Sequence, residues 1–111
     1  MKYRFFPAAD MAQDKIWDYT SNKWGEAQAE KYIKGLHRHI EQLAEKQKLW
    51  RPLPTRFVIP LDLESEAYFS LYEKHYIFFR ELSGGVLGVM SILHEKMHLP
   101  VRLVNDLKKI E

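Results

Sequence analysis

The chain has 111 residues, 46% of them hydrophobic and none of them cysteine, with 17 basic against 15 acidic side chains for a net charge of +2. That length fits one domain, residues 1–111, and that apolar fraction fits a folded globular protein. Disulfides and thiolate chemistry are excluded, no apolar run is long enough to cross a bilayer, and the weak net field gives no footprint for sequence-specific nucleic-acid binding. Met1 to Phe6 lacks the apolar stretch of a signal peptide, so a cytoplasmic protein is the expectation.

Tyr3 to Phe6 is β-prone, and Pro7 suits the first position of a following helix. Ala9, Ala12, Ile16, Tyr19 and Lys23 fall at helical spacing, the stem of Lys23 extending the stripe, and Trp24-Gly25 ends the helix. A second helix starts at once. Ala29, Tyr32, Ile33, Leu36, Ile40, Leu43 and Ala44 follow its three-four rhythm, while Glu26, Glu30, Lys31, Lys34, Arg38, Glu41 and Glu45 face water. The pair is expected to form an αα-hairpin. Gly35 costs this helix about 1 kcal/mol relative to alanine and predicts close approach of another backbone. His37 and His39 read as surface residues.

From Trp50 to Glu66 prolines at 52, 54 and 60 forbid regular helix and discourage a central strand, leaving an irregular crossing segment tethered by Phe57, Val58, Ile59 and Leu61. Three strands follow. Ala67–Tyr72 and His75–Leu82 are joined around Glu73-Lys74, and Ser83-Gly84-Gly85 turns the chain into Val86–Leu93. Val101, Val104 and Leu107 recur at helical spacing, so residues 101–110 predict a short terminal helix. The order strand, helix, helix, three-strand meander implies an α+β fold of two layers, a mostly antiparallel sheet packed on the hairpin.

Strict alternation puts Tyr76, Phe78 and Arg80 on one face of the second meander strand and His75, Ile77 and Phe79 on the other; in the third it sets Val86, Gly88, Met90 and Ile92 against Leu87, Val89, Ser91 and Leu93. Both faces are largely apolar, whereas a sheet with one solvated face alternates apolar with polar. Something must cover the face away from the hairpin: the proline-rich segment and the tail, or a partner chain. Trp17, off the helix stripe, and Trp50, in the loop, add aromatic surface for a partner. Phe78, Arg80, Met90 and Ile92 complete the expected contact set.

His94-Glu95-Lys96-Met97-His98 matches the zinc-protease pattern H-E-x-x-H, whose chemistry needs both histidines on one face of a helix. Here the string follows a strand-like apolar run, and Pro100 stops any helix opened near Leu93. It reads as a strand end, and neither a metal nor another cofactor is expected. Gly84 to Gly88 lies in a hairpin and lacks the lysine and following helix of a phosphate loop.

Ile16-Trp17-Asp18-Tyr19, Trp24-Gly25, Ala29, Tyr32, Leu36, Leu43-Ala44, His75-Tyr76-Ile77-Phe78-Phe79-Arg80 and Ser91-Ile92-Leu93-His94-Glu95-Lys96-Met97 together resemble the ParE toxins of type II toxin–antitoxin modules, within the wider RelE superfamily. The resemblance covers residues 3–48 and 67–98. Two departures stand out: the segment Trp50–Glu66 is longer and richer in proline, and His98 stands where aspartate is common. The resemblance implies a toxin that inhibits DNA gyrase and arrests growth, neutralised by a cognate ParD-like antitoxin with a ribbon-helix-helix DNA-binding head and an extended tail.

A RelE-like member would instead cleave ribosome-bound mRNA, needing an acid, a base and cations on the phosphate. Candidates for those roles are Arg80, His94, Lys96 and His98, with Arg102 in the tail. Against them, no Tyr or Trp follows Tyr76, and Glu73, Glu81 and Glu95 interrupt any basic track. Gyrase inhibition without catalysis is therefore the favoured reading. A degenerate module that only binds antitoxin is a further alternative.

Overall fold

The computed structural model describes residues 2–53, 67–97 and 99–107. Strand β1 (Tyr3–Phe5) leads into α1 (Pro7–Trp24), then α2 (Glu26–Glu45), a 3-10 turn at Gln47–Leu49, and strands β2 (Arg51–Pro52), β3 (Ala67–Tyr72), β4 (His75–Leu82) and β5 (Val86–His94). Helix α3 (Leu99–Leu107) follows. The architecture is α+β, as expected, with one five-stranded sheet in the order β1-β5-β4-β3-β2. All pairings are antiparallel except β1 with β5, where Tyr3, Arg4 and Phe5 stand opposite Leu87, Gly88 and Val89.

Gly25 alone joins the two long helices. Its N–H donates to the Ser21 carbonyl and its own carbonyl accepts from the Ala29 N–H, at a φ of 96° that glycine tolerates without a Cβ penalty. The buried stripe of α1 is Ala8, Ala9, Ile16 and Thr20 rather than the predicted run through Tyr19, which is 60% exposed. In α2 the buried residues are Ala29, Leu36, Ile40, Leu43 and Ala44, all from the expected set. All of these but Ala29 meet Ile77, Phe79, Leu87, Val89 and Ile92 of the sheet in the larger of two cores.

Gly35 does mark a close approach, but by a side chain. The Tyr72 hydroxyl occupies the space a Cβ would need there. Alanine at this position gains helix propensity and meets that hydroxyl, whose ring is flanked by Tyr32 and His39. Gly35→Ala is expected to lower stability by about 1 kcal/mol or more, and adding Tyr72→Phe to recover much of the loss. Strictly additive losses in a thermal-denaturation double-mutant cycle would contradict this packing.

The tryptophan expected in an exposed loop is a structural anchor. Trp50 is half-buried, its Nε1 donates to the Leu43 carbonyl at 2.6 Å, and its ring packs on Tyr68 and Phe79. That hydrogen bond ties the chain after α2 to the helix end, just before the β2 edge ladder with Phe69 and Tyr68. Pro52 is compatible with that ladder because β2 is an edge strand, and an edge tolerates a missing N–H. The expected tethers Phe57, Val58, Ile59 and Leu61 lie outside the described residues, as do Lys108 to Ile110 of the expected tail helix.

Strict alternation fails in one place. The β4–β5 register shifts between Phe78, opposite Ser91, and Phe79, opposite Val89, so Met90 is an extra residue in β5. Before the bulge Leu87 and Val89 face the hairpin; beyond it Ile92 does. Met90 and Leu93 turn to the other face. The expectation that Met90 and Ile92 share a face is thus corrected by one inserted residue.

That other face carries the second core: Phe6, Ala67, Phe78, Met90, Leu93 and Leu103, with Phe69, Tyr76, Leu82 and Leu99 packed around them. Leu103 comes from α3, so the tail covers part of the sheet as one of the two expected alternatives had it. Among the described residues no helix is long and apolar enough to cross a membrane.

Candidate functional site

Among the described residues two regions concentrate chemistry-bearing side chains, and they lie at opposite ends of the β4–β5 pair and on opposite faces. The first is the sheet face under α3. Leu103 is fully buried against it, and the Ser91 hydroxyl, itself buried, donates to the Asp106 carboxylate at 2.6 Å. A nine-residue helix is too short to persist alone in water, so α3 depends on these contacts. Beside it, Arg4 and Arg80 stand in one row across the sheet, each opposite Gly88 of β5. Both guanidiniums lie over the ring of the buried Phe6, at 5.3 and 6.0 Å from its centroid. A Cβ at Gly88 would press on the Leu82 side chain, so that leucine fills the gap between the arginines.

The sequence singled out Arg80 and missed Arg4, whose partnership depends on the parallel β1–β5 pairing. Of the expected contact residues on this face, Phe78 and Met90 are buried and Arg80 is half-buried. Ile92 and Trp50 belong to the hairpin side instead. Trp17 is half-buried on α1. The aromatics that are open on the hairpin are Tyr19 and Trp24, at 60% and 61% exposure, with the Lys23 ammonium over both rings at 5.5 and 4.7 Å.

The second region lies where α2 crosses the far end of β4 and β5. His75 is opposite His94, and their rings meet edge to face with centroids 5.1 Å apart. His75 Nδ1 hydrogen-bonds to the Tyr32 hydroxyl at 2.6 Å. Burial first, and the neighbouring His94 second, push His75 down to about 4, while burial and then Tyr72 push Tyr32 up to about 12. His94 Nδ1 accepts from the Lys96 backbone N–H at 3.1 Å, which places the proton of the neutral ring on Nε2. Glu95 to Met97 form a turn held by the Glu95 N–H to the Lys74 carbonyl and the Met97 N–H to the His94 carbonyl. The helix that H-E-x-x-H zinc chemistry requires is therefore not formed over residues 94–97, and His98 lies outside the described residues.

Arg80 and His94 do not converge. His94 is level with His75, five positions from Arg80 along β4, or roughly 17 Å at about 3.4 Å per residue. The His75 and His94 rings are on the hairpin side, whereas Arg80 is on the α3 side. Lys96 and Arg102 are exposed, on the turn and on α3.

With this geometry in place, comparison with known proteins is specific. The family model described as the ParE toxin of type II toxin–antitoxin systems, parDE, matches residues 3–99, from β1 to the first residue of α3. Toxin ParE1 of Mycobacterium tuberculosis is 30% identical over 97 residues, covering 86% of this chain and 91% of that protein. Toxin ParE of Escherichia coli is 32% identical over 90 residues, covering 81% of each.

Proposed function

The chain belongs to the ParE toxin family of type II toxin–antitoxin systems, and on that footing we propose that it arrests growth by inhibiting DNA gyrase and is neutralised by a ParD-like antitoxin. It acts in the cytoplasm, as a binding protein rather than a nuclease. The observation carrying this choice is the separation of Arg80 from His94. Cleaving a phosphodiester needs a base, an acid and a cation within hydrogen-bond reach of one phosphate. Side chains roughly 17 Å apart along the sheet and on its two faces cannot serve one phosphate.

The antitoxin lies on the α3 side of the sheet, where Arg80 stands beside the apolar core of Phe6, Phe78 and Met90. Displacing α3 would open Phe78 and Met90 to it, and Trp17 is a further contact on the hairpin. A tail that orders on binding is suited to a sheet face of this kind.

Purified protein titrated into a gyrase supercoiling assay tests the activity. Supercoiling is expected to fall with toxin concentration and to recover when the antitoxin is added. Untouched supercoiling at toxin excess, together with cutting of ribosome-bound message, would replace this reading with the ribonuclease.

A further inference from the structure

Three histidines stitch the helical layer to the sheet, and two of them, His37 and His39, are ones the sequence places on the surface. His37 of α2 takes a hydrogen bond from the Tyr3 hydroxyl of β1 at Nδ1, 2.8 Å, and gives one from Nε2 to Gln13 Oε1 of α1, 2.6 Å. Its ring stacks on Phe5 at 5.3 Å. His39 of α2 pairs through Nε2 with the Ser70 hydroxyl of β3 at 2.8 Å. His75 of β4 reaches the other way, to Tyr32 of α2. The hairpin is thereby tied to strands β1, β3 and β4, and each tie uses an imidazole whose ordinary titration falls near pH 6.5.

We infer that His37, His39 and His75 form an acid-sensitive clamp, so that mild acidification releases the helical hairpin from the sheet while each layer keeps its own secondary structure. At His37 a proton on Nδ1 charges a half-buried ring and makes the Tyr3 hydroxyl turn from donor to acceptor, and at His75 a proton charges a ring that faces His94. The surrounding groups give little compensation. Glu41 is the carboxylate acting on His37; Tyr72 beside His39 feels Glu73 and Arg38; and Tyr32 above His75 feels Glu73.

The direction of the titration agrees. Burial holds His37 and His39 below the usual imidazole range, against an opposing pull from Glu41 at His37, and burial with His94 holds His75 at about 4. The unfolded chain therefore binds more protons than the folded one. The stabilising contribution is complete above about pH 6.5 and is lost as pH falls towards the folded-state values.

The test follows the full-length chain from about pH 7.5 to about pH 4.5 by near-UV and far-UV circular dichroism and by binding of a hydrophobic dye. Loss of the near-UV signal and gain of dye binding are expected below about pH 6, with the helical far-UV signal largely kept. In the variant His39→Gln, His75→Asn, which keeps hydrogen-bonding groups and cannot charge, the midpoint is expected about one pH unit lower. An unchanged midpoint, or a near-UV signal intact at about pH 4.5, would overturn the clamp. Should the variant fail to fold, imidazole NMR titration of the unaltered chain decides. Ordinary values near 6.5 at all three histidines with native structure retained would reject the proposal, and protonation only together with the structural transition would support it.

Discussion

Phe79→Ala is expected to lower the melting temperature by about 15 °C or more, enough to leave a substantial unfolded fraction near physiological temperature. The side chain is fully buried at the junction of three elements: it faces the hairpin from the middle of β4, stacks on Tyr68 at 6.0 Å, and meets the edge of Trp50 at 5.4 Å. Truncating a buried phenylalanine costs about 3–5 kcal/mol, from the lost transfer energy and the cavity left behind. A domain of this size has a total stability of only about 5–15 kcal/mol. Collapse around the cavity would require Trp50 to move, and its hydrogen bond to the Leu43 carbonyl holds it. Thermal denaturation followed by circular dichroism measures the effect, and a loss under about 1 kcal/mol would mean that the Trp50 anchor is loose.

Leu103→Asp is expected to act differently, by undocking α3 without unfolding the larger core. Leu103 is fully buried against the second core, and a carboxylate in that apolar contact costs its desolvation. The Ser91–Asp106 hydrogen bond, worth about 1.5–3 kcal/mol as a bond to a charged group, cannot hold so short a helix by itself. Phe78, Met90 and Leu93 would then face water, giving several-fold more dye fluorescence and concentration-dependent self-association. On the proposed antitoxin site, adding the antitoxin suppresses both signals. A variant that stays monomeric and binds no dye would show that this face is covered without α3.

Most of the architecture is legible in the sequence because burial imposes a period. The three-four rhythm of α2 and the two-residue rhythm of β4 name their core residues, and the glycines at 25, 84 and 85 supply the positive φ their turns use. What is not legible depends on pairing between distant segments. Periodicity carries Tyr19 into the α1 stripe, yet the neighbouring Thr20 is the residue turned inward, because hairpin packing rather than residue type sets the rotation. A lone histidine on a helix gives no sign that Tyr3 or Ser70 waits across the interface, so His37 and His39 look solvated until β1 and β3 are in place. The separation of Arg80 from His94 also needs the register, since in sequence both merely end strands.

The bulge at Met90 divides the central strand into two half-strands that run in opposite phase. The first, up to Val89, is all that β1 pairs with, and it carries Gly88 between the two arginines. The second, from Ser91 onward, holds the Asp106 latch and brings His94 beneath the hairpin against His75. Without the extra residue these assignments would invert: the Ser91 hydroxyl would point into the hairpin core, away from Asp106, and His94 would leave its partner. A single backbone count, independent of which side chain occupies position 90, thus decides which layer each end of the strand serves.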